Sequence, residues 1–299
     1  MMPVLPLLEA LVVAALWSAS PILVQLVLDE LSPMQVAGIR YFGAFLALLP
    51  LLILHSRRTL ARLSWSAWAR LALMGVLSYT IGNTLFFWAL GRLPATTGSF
   101  LLNVVPIYTV AIGGIWLGEW PNRRQVFGVG LALAGGLLFF GFRVSAGQGA
   151  AIVVALVGAL AMSVFGVMSR SFARSGEIDT VALAALPLFA GGGLLLLLQP
   201  MPAIPSSKAL AALAWLALVN SALAYILWTH AQKRLKAYEI SLVGNLMPMG
   251  TAMISTLFFN QPLPAWSWLG IGVALVGVFL VGVAAGERSG GVPLVPPRG

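Results

Sequence analysis

Two polar groupings stand inside otherwise apolar stretches of this 299-residue chain, and each has a counterpart further along. Asn103 and Pro106 recur as Asn245 and Pro248 (248 − 106 = 142), and Ser99 recurs as Ser241. Tyr79, Asn83 and Phe86 follow i, i+4, i+7 spacing and so share one helical face. The same offset carries them onto Ser221, Tyr225 and Trp228. Trp17 with Ser20, and Ser163 with Phe165, add two further polar–aromatic pairs. Amides, hydroxyls and rings of this kind bind rather than react: they suit a flat apolar group, or a cation held against a π face. Covalent chemistry lacks its parts. No His stands with Glu or Asp at metal-ligand spacing, no nucleophile has an evident base, and no phosphate-binding loop is present. The expectation is a solute-binding protein with no metal or cofactor, not an enzyme.

The elements that position these residues follow from composition. The chain is 60% hydrophobic and 8% charged, where a soluble domain carries about 25% charged residues. A spanning helix needs about 20 apolar residues, and ten segments qualify: 7–28, 33–54, 66–90, 95–117, 123–142, 149–171, 180–199, 207–231, 237–259 and 265–284. They are punctuated by Asp29-Glu30, Arg57-Arg58, Leu93-Pro94, Pro121-Asn122 and the run from Pro200 to Ser207. The fold class is therefore all-α, a polytopic membrane protein in the lipid bilayer. Met1 to Leu8 lacks a signal peptide's basic start, so the first segment is expected to be a retained helix. Without cysteine there is no disulfide or thiolate site.

Basic residues set the orientation. With both termini cytoplasmic, the inner flanks hold Arg57, Arg58, Arg62, Arg70, Arg123, Arg124, Arg170, Arg174, Lys233, Arg234, Lys236, Arg288 and Arg298. The outer ones hold Arg92, Arg143 and Lys208, and Arg40 lies within a helix. The formal charge of +9 is thus a topology signal with some attraction for anionic lipid, not a mark of nucleic acid.

Residues 83–141 reappear as 225–283, with Leu93 on Leu235, Gly128 on Gly270, Gly130 on Gly272 and Gly135 on Gly277. Helices three to five thus match helices eight to ten, and the repeat unit is five helices. Two odd-numbered units in series point in opposite directions, which places a pseudo-two-fold axis in the membrane plane and a solute site where the units meet. The expected organisation is a first repeat over 1–145, an inverted second repeat over 146–286 and a cytoplasmic tail over 287–299.

With these features the chain resembles the drug/metabolite transporter superfamily in its ten-helix EamA-type branch, over nearly its full length. The resemblance rests on Trp17-Ser18, Ser32-Pro33 with Arg40, Asn103-Val104-Val105-Pro106, Leu117-Gly118-Glu119, and Gln125 with Gly128 and Gly135. The second copy supplies Asn245-Leu246-Met247-Pro248 and Gly270 with Gly277, and departs where Gln261 replaces the usual acidic residue. It implies an inner-membrane exporter of amino acids or other metabolites; it does not select the substrate.

Each candidate has a structural reading beside the functional one. The serines serve close helix packing or line a cavity. Asn103 and Asn245 either satisfy backbone groups freed by Pro106 and Pro248 or contact solute, and those prolines are candidate hinges. Tyr79, Phe86, Tyr225 and Trp228 lie mid-helix, away from the interfacial belt. Arg40, about 10 Å into its helix at 1.5 Å per residue, either snorkels or pairs with Asp29 or Glu30, or attracts a substrate carboxylate. Glu119 is expected to cap the fifth helix. His55 and His230 fall near inner helix ends, so neither is a mid-membrane proton relay. All eight acidic residues fall near helix ends or in loops, which favours uniport or exchange over carboxylate-coupled symport. The expected function is export of small organic solutes, amino acids with aromatic ones included; a monomer is plausible, and the sequence leaves the oligomeric state open. Carriage of a nucleotide sugar or phosphorylated sugar, or ion-coupled drug export, is the alternative. A channel or a scaffold would not need an inverted repeat.

Overall fold

A computed structural model of the chain describes residues 4–90, 92–93, 101–140, 147–199, 204–259 and 262–289, and every regular element among them is helical. Helix α1 (Val4–Gln25) leads to α2 (Pro33–His55) and a short α3 (Arg57–Arg62). Next come α4 (Trp65–Gly75), a π-helical segment (Val76–Gly82) and α5 (Asn83–Leu90) as one continuous rod. Then follow α6 (Val104–Leu117), α7 (Arg123–Phe140), α8 (Gly149–Ser175) and α9 (Thr180–Leu198). A second rod is built from α10 (Ser207–Ala217), a π-helical segment (Leu218–Leu223) and α11 (Ala224–Ala231). Helices α12 (Ala237–Gly244), α13 (Met247–Phe259) and α14 (Ala265–Ser289) complete the chain.

Seven stretches among the described residues are long and apolar enough to cross a membrane: Val4–Gln25, Pro33–His55, Trp65–Ala89, Gly149–Ser175, Thr180–Leu198, Ser207–Ala231 and Ala237–Phe258. Val104–Leu117 and Ala265–Val281 are shorter apolar helices. Helix starts are fixed by polar caps. Ser32 and Gln35 bond reciprocally at the head of α2, Ser64 accepts from the Ala67 amide, and Ser206 accepts from the Ala209 amide. Asp179 heads α9, accepting from the Ala182 amide at 2.9 Å and from the Ser56 hydroxyl at 2.7 Å.

Three local expectations change. The two rods are not uniform α-helices: each is interrupted by π-helix, starting at Val76 and at Leu218. Pro106 and Pro248 do not kink continuous helices. The chain turns at Leu102-Asn103 and at Asn245-Leu246, and each proline falls within the first turn of the next helix, α6 or α13. A first-turn residue has no intrahelical acceptor for its N–H, so proline's missing donor does no harm there. Glu119, finally, does not cap α7. Asn122 and Gln125 do so with reciprocal bonds of 3.0 and 2.8 Å, while Gly118 ends α6 with φ 67° and turns Glu119 inward.

Packing brings distant segments together. Helix α2 lies on α9 and α10, α1 on α11 and α13, and α8 on α5 and α6. Helices α7 and α14 make the most intimate pair. A Cβ on Gly128 would lie 2.8 Å from the Gly277 carbonyl, and one on Gly135 would lie 2.6 Å from the Gly270 carbonyl. Helices this close gain dispersion along their whole length, which is how membrane helices associate where lipid removes the hydrophobic drive.

Two outcomes follow. Gly135→Leu is expected to destabilise the fold by about 1–3 kcal/mol or more through overpacking, while Gly130→Leu, whose Cβ would meet nothing within 4 Å, leaves melting in detergent unchanged. Burial pushes the Asp179 carboxyl up, but the Ala182 amide and Ser56 hydroxyl outweigh it and hold the group below its usual range. A depressed native value contributes stability that is present above the unfolded value of about 3.9 and lost as pH falls through the native one. Asp179→Ala is therefore expected to cost about 1–2 kcal/mol near neutral pH, and the gap to the unmodified protein narrows in melts recorded below about pH 4.

Candidate solute-binding site

The middle of the bundle holds a continuous row of rings. Trp17 of α1 meets Trp228 and Tyr225 of α11 at 4.8 and 5.4 Å between centroids. Tyr225 meets Tyr79 edge-on at 5.4 Å, and Tyr79 meets Tyr41 of α2 at 4.5 Å and Phe165 of α8 at 5.4 Å. Rings in tilted and edge-to-face contact at these separations attract one another beyond their buried area. The row thus draws on α1, α2, α8 and both interrupted rods. Asn83 closes it, donating to the Tyr41 hydroxyl at 3.0 Å and the Tyr79 carbonyl at 3.3 Å.

Arg40 lies against this row. Its Nε donates to Ser221 Oγ at 2.7 Å and its Nη2 to the Asn220 carbonyl at 3.0 Å, with the guanidinium 5.4 Å from the Tyr41 ring. The expected pairing with Asp29 or Glu30 does not form: Glu30 is engaged by Ser206, through its amide and hydroxyl. Arg40 turns inward because its place on α2 faces the second π-helical segment, where Asn220 and Ser221 are both fully buried. Among the described residues no carboxylate pairs with it, so neutral groups hold its charge. A cation so placed in a membrane span is costly, which makes Arg40 a candidate site residue.

Asn220 is the hub that sequence reasoning missed. Its carbonyl also accepts from Trp17 Nε1 at 2.9 Å, and its Nδ2 donates to the Leu16 carbonyl at 2.6 Å and to Ser20 Oγ at 2.8 Å. A π-helical stretch shifts the intrahelical pairing of its carbonyls, which suits one of them to accept from side chains. Two signals were available: Asn220 is an amide inside an apolar stretch, next to Ser221, and Tyr41 directly follows Arg40.

The second grouping forms a separate contact. Asn245 Nδ2 donates to Asn103 Oδ1, so each asparagine meets its own counterpart. Asn103 reaches that partner because Gly136 leaves room; a Cβ there would lie 2.3 Å from Asn103 Oδ1. Nearby, the Val105 carbonyl accepts from Thr109 at 2.8 Å and Ser163 at 3.2 Å. The Met247 carbonyl likewise accepts from Thr251 and Ser18, both at 3.1 Å. Ser163 and Ser18 are therefore ties between helices, and Ser20 is bound to Asn220. Trp17, Tyr79, Asn83, Phe165, Ser221, Tyr225 and Trp228 are brought together. Phe86 is not among them: it is buried toward α8, its ring 6.4 Å from Phe87. Ser241 Oγ is buried without a hydrogen-bond partner among the described residues. Ser99 lies outside the described residues.

The arrangement sets one guanidinium beside a row of touching rings. Comparison with known proteins agrees with a transport role. Over 281 residues the chain is 27% identical to an "Uncharacterized transporter" of Archaeoglobus fulgidus, covering 89% of this chain and 93% of that protein. It is 24% identical to the "Uncharacterized inner membrane transporter YedA" of Escherichia coli K12, over 93% of this chain and 90% of that one. It is also 24% identical to a "Probable terminal-alkyne amino-acid exporter" of Streptantibioticus cattleyicolor, over 71% and 72% of the two chains. A crystal structure 18% identical in sequence superposes with a TM-score of 0.78, covering 94% of this chain and 97% of the other, a likeness of fold. The profile of the EamA-like transporter family matches twice, over residues 5–141 and 149–283. The protein is a multi-pass membrane transporter, and it belongs to the EamA-like transporter family.

Proposed function

We propose that this protein exports small organic solutes, amino acids with aromatic ones included, by uniport-like alternating access across a cell inner membrane. Its solute carboxylate docks at Arg40 and its apolar side chain lies among Trp17, Tyr79, Tyr225 and Trp228. The observation that carries this is the Arg40 guanidinium, held by two neutral acceptors against an aromatic row. A doubly charged phosphate calls for a second cation. Arg40 is the basic side chain that touches this row among the described residues, so a single carboxylate suits it better than a sugar phosphate. The amino-acid exporter among the relatives is in keeping with this.

The mechanism needs two units that rock about the site. We assign them to residues 1–145 and 146–286, each of five helices and opposite in direction, with residues 287–299 as a cytoplasmic tail. Several contacts support that reading because they occur twice with partners exchanged. Gly128 meets Gly277 as Gly135 meets Gly270, although the offset relates Gly128 to Gly270 and Gly135 to Gly277. Helix α1 lies on α11 and α13 as α8 lies on α5 and α6, and α2 lies on α10 as α9 lies on α4. Such reciprocity is what a two-fold axis requires, and Asn103 with Asn245 would sit on that axis. The turns before Pro106 and Pro248 are the hinges.

Reconstitution into liposomes tests the reading. Arg40→Gln is expected to raise the half-saturating concentration of a transported amino acid by about tenfold or more, the worth of one charge-assisted bond. It should also erase preference over the corresponding amide; equal handling of acid and amide by the unmodified protein would overturn the assignment. Asn245→Ala removes a donor from buried Asn103 and is expected to slow flux with folded yield maintained, at about 1–3 kcal/mol in stability. Asn103→Ala with Asn245→Ala should cost less than the sum of the two, read as a double-mutant cycle of melting. Unchanged flux in both single variants would remove these residues from the transport path.

A further inference from the structure

One turn beyond the aromatic row the character of the bundle changes. Four residues past Phe165 on α8 is Ser169, and four past Trp228 is Gln232; Ser169 Oγ donates to Gln232 Oε1 at 2.6 Å. Next to them Arg170, 6% exposed, pairs with Glu119, also 6% exposed, through Nε at 2.9 Å and Nη2 at 2.8 Å. Its Nη1 donates to the Gln232 carbonyl. Glu119 Oε2 accepts from the Ala237 amide at 2.9 Å, the first residue of α12. Gln125 of α7, fully buried, donates to Glu239 Oε1 at 3.2 Å, and Glu239 Oε2 accepts from the Lys236 amide at 2.8 Å. Both carboxylates and the guanidinium are thus bonded within a buried network. Arg174 reaches Glu119 at 3.6 Å but is 52% exposed and adds little.

We infer that this network is the inner gate of the transport path. The inference rests on the transport reading and orientation proposed above. Glu119 and Gln125 belong to the first unit; Ser169, Arg170, Gln232, Ala237 and Glu239 belong to the second. The bonds of Glu119 to Arg170 and Ala237, and of Gln125 to Glu239, therefore tie the two units together on the side where basic loops accumulate, one helical turn below the rings that would hold solute. A buried ion pair is poor evidence for stability, since its desolvation offsets much of its attraction; its better-attested use is to select one arrangement over another. Opening toward the cytoplasm separates the units here, lets water reach both charges and breaks the contacts that cross, Glu119 to Arg170, Glu119 to Ala237 and Gln125 to Glu239. Closing restores them together. The aromatic row and the network so form two consecutive layers, one selecting solute and one selecting state.

The absence of cysteine makes the test direct. Spin labels are placed at Arg123→Cys, at the head of α7, and Arg234→Cys, in the turn before α12; both positions are exposed. Pulsed electron resonance then gives the distance between them in nanodiscs without solute. The otherwise unmodified protein is expected to show one dominant short distance. Glu119→Gln and Arg170→Gln should each add a longer one, raising the ratio of open to closed by about tenfold or more. Arg170→Lys keeps the charge and loses the fork, and serves where a Gln variant fails to fold; its longer population should be smaller but present. Arg174→Gln should leave the distribution unchanged. Identical distributions in the folded Glu119 and Arg170 variants overturn the gate, as does equal opening by Arg174→Gln or a long distance dominating the unmodified protein. Because the distances need no solute, failure of amino-acid flux removes the transport reading without deciding this test.

Discussion

In the hydrocarbon of a bilayer a polar group has only the protein to bond to, and this structure is organised by where such groups are allowed to be. Lipid-facing surfaces of the spans are left to side chains such as Leu197, Phe258 and Phe279, all widely exposed. Amides, hydroxyls and the Arg40 guanidinium are turned inward, where helices from different parts of the chain meet. The rim is apolar, which a soluble domain's is not, and the buried core keeps an apolar majority as well, its polar side chains gathered at a few helix contacts. Since water cannot complete a half-satisfied group there, most of these side chains have a named acceptor or donor, and the exceptions, Asn220 Oδ1 and Ser241 Oγ among them, stand out.

Departures from regular helix supply the acceptors. The π-helical stretch from Leu218 offers the Asn220 carbonyl to both Trp17 and Arg40. The helices restarting after Asn103 and Asn245 present the Val105 and Met247 carbonyls to serines of α8 and α1. Irregular backbone at membrane depth is tolerated only where protein or a water-filled path surrounds it. These three interruptions lie where helices meet, with Leu218 and Leu223 of the π-helical stretch also presenting side chains outward.

Buried cations are held in two different ways. Arg40 is held by neutral oxygens alone among the described residues, whereas Arg170 is paired with the carboxylate of Glu119. Two arginines in one bundle thus have opposite electrostatic standing because of what faces them. Their nearest neighbours in sequence do not distinguish them: Ile39 and Tyr41 flank one, Ser169 and Ser171 the other.

Much of the architecture was legible in the chain because lipid imposes a length and a composition on anything that crosses it. Helix starts at Pro33, Arg123, Gly149, Thr180, Ser207, Ala237 and Ala265 coincide with polar or proline punctuation, and the 142-residue offset relates the two π-helical segments as closely as it relates the glycines of α7 and α14. Helical periodicity correctly grouped Tyr79 with Asn83. It failed for Phe86, because a face defined by spacing does not say which neighbour will cover each part of it. Asn220, the inward turn of Arg40 and the capture of Glu119 by Arg170 were decided only by tertiary structure. Each depends on a partner 51 to 203 residues away, and a sequence carries no direct record of what stands opposite a side chain. Apolar length and repeated punctuation determined the helices; the need to satisfy every buried polar group determined how they meet.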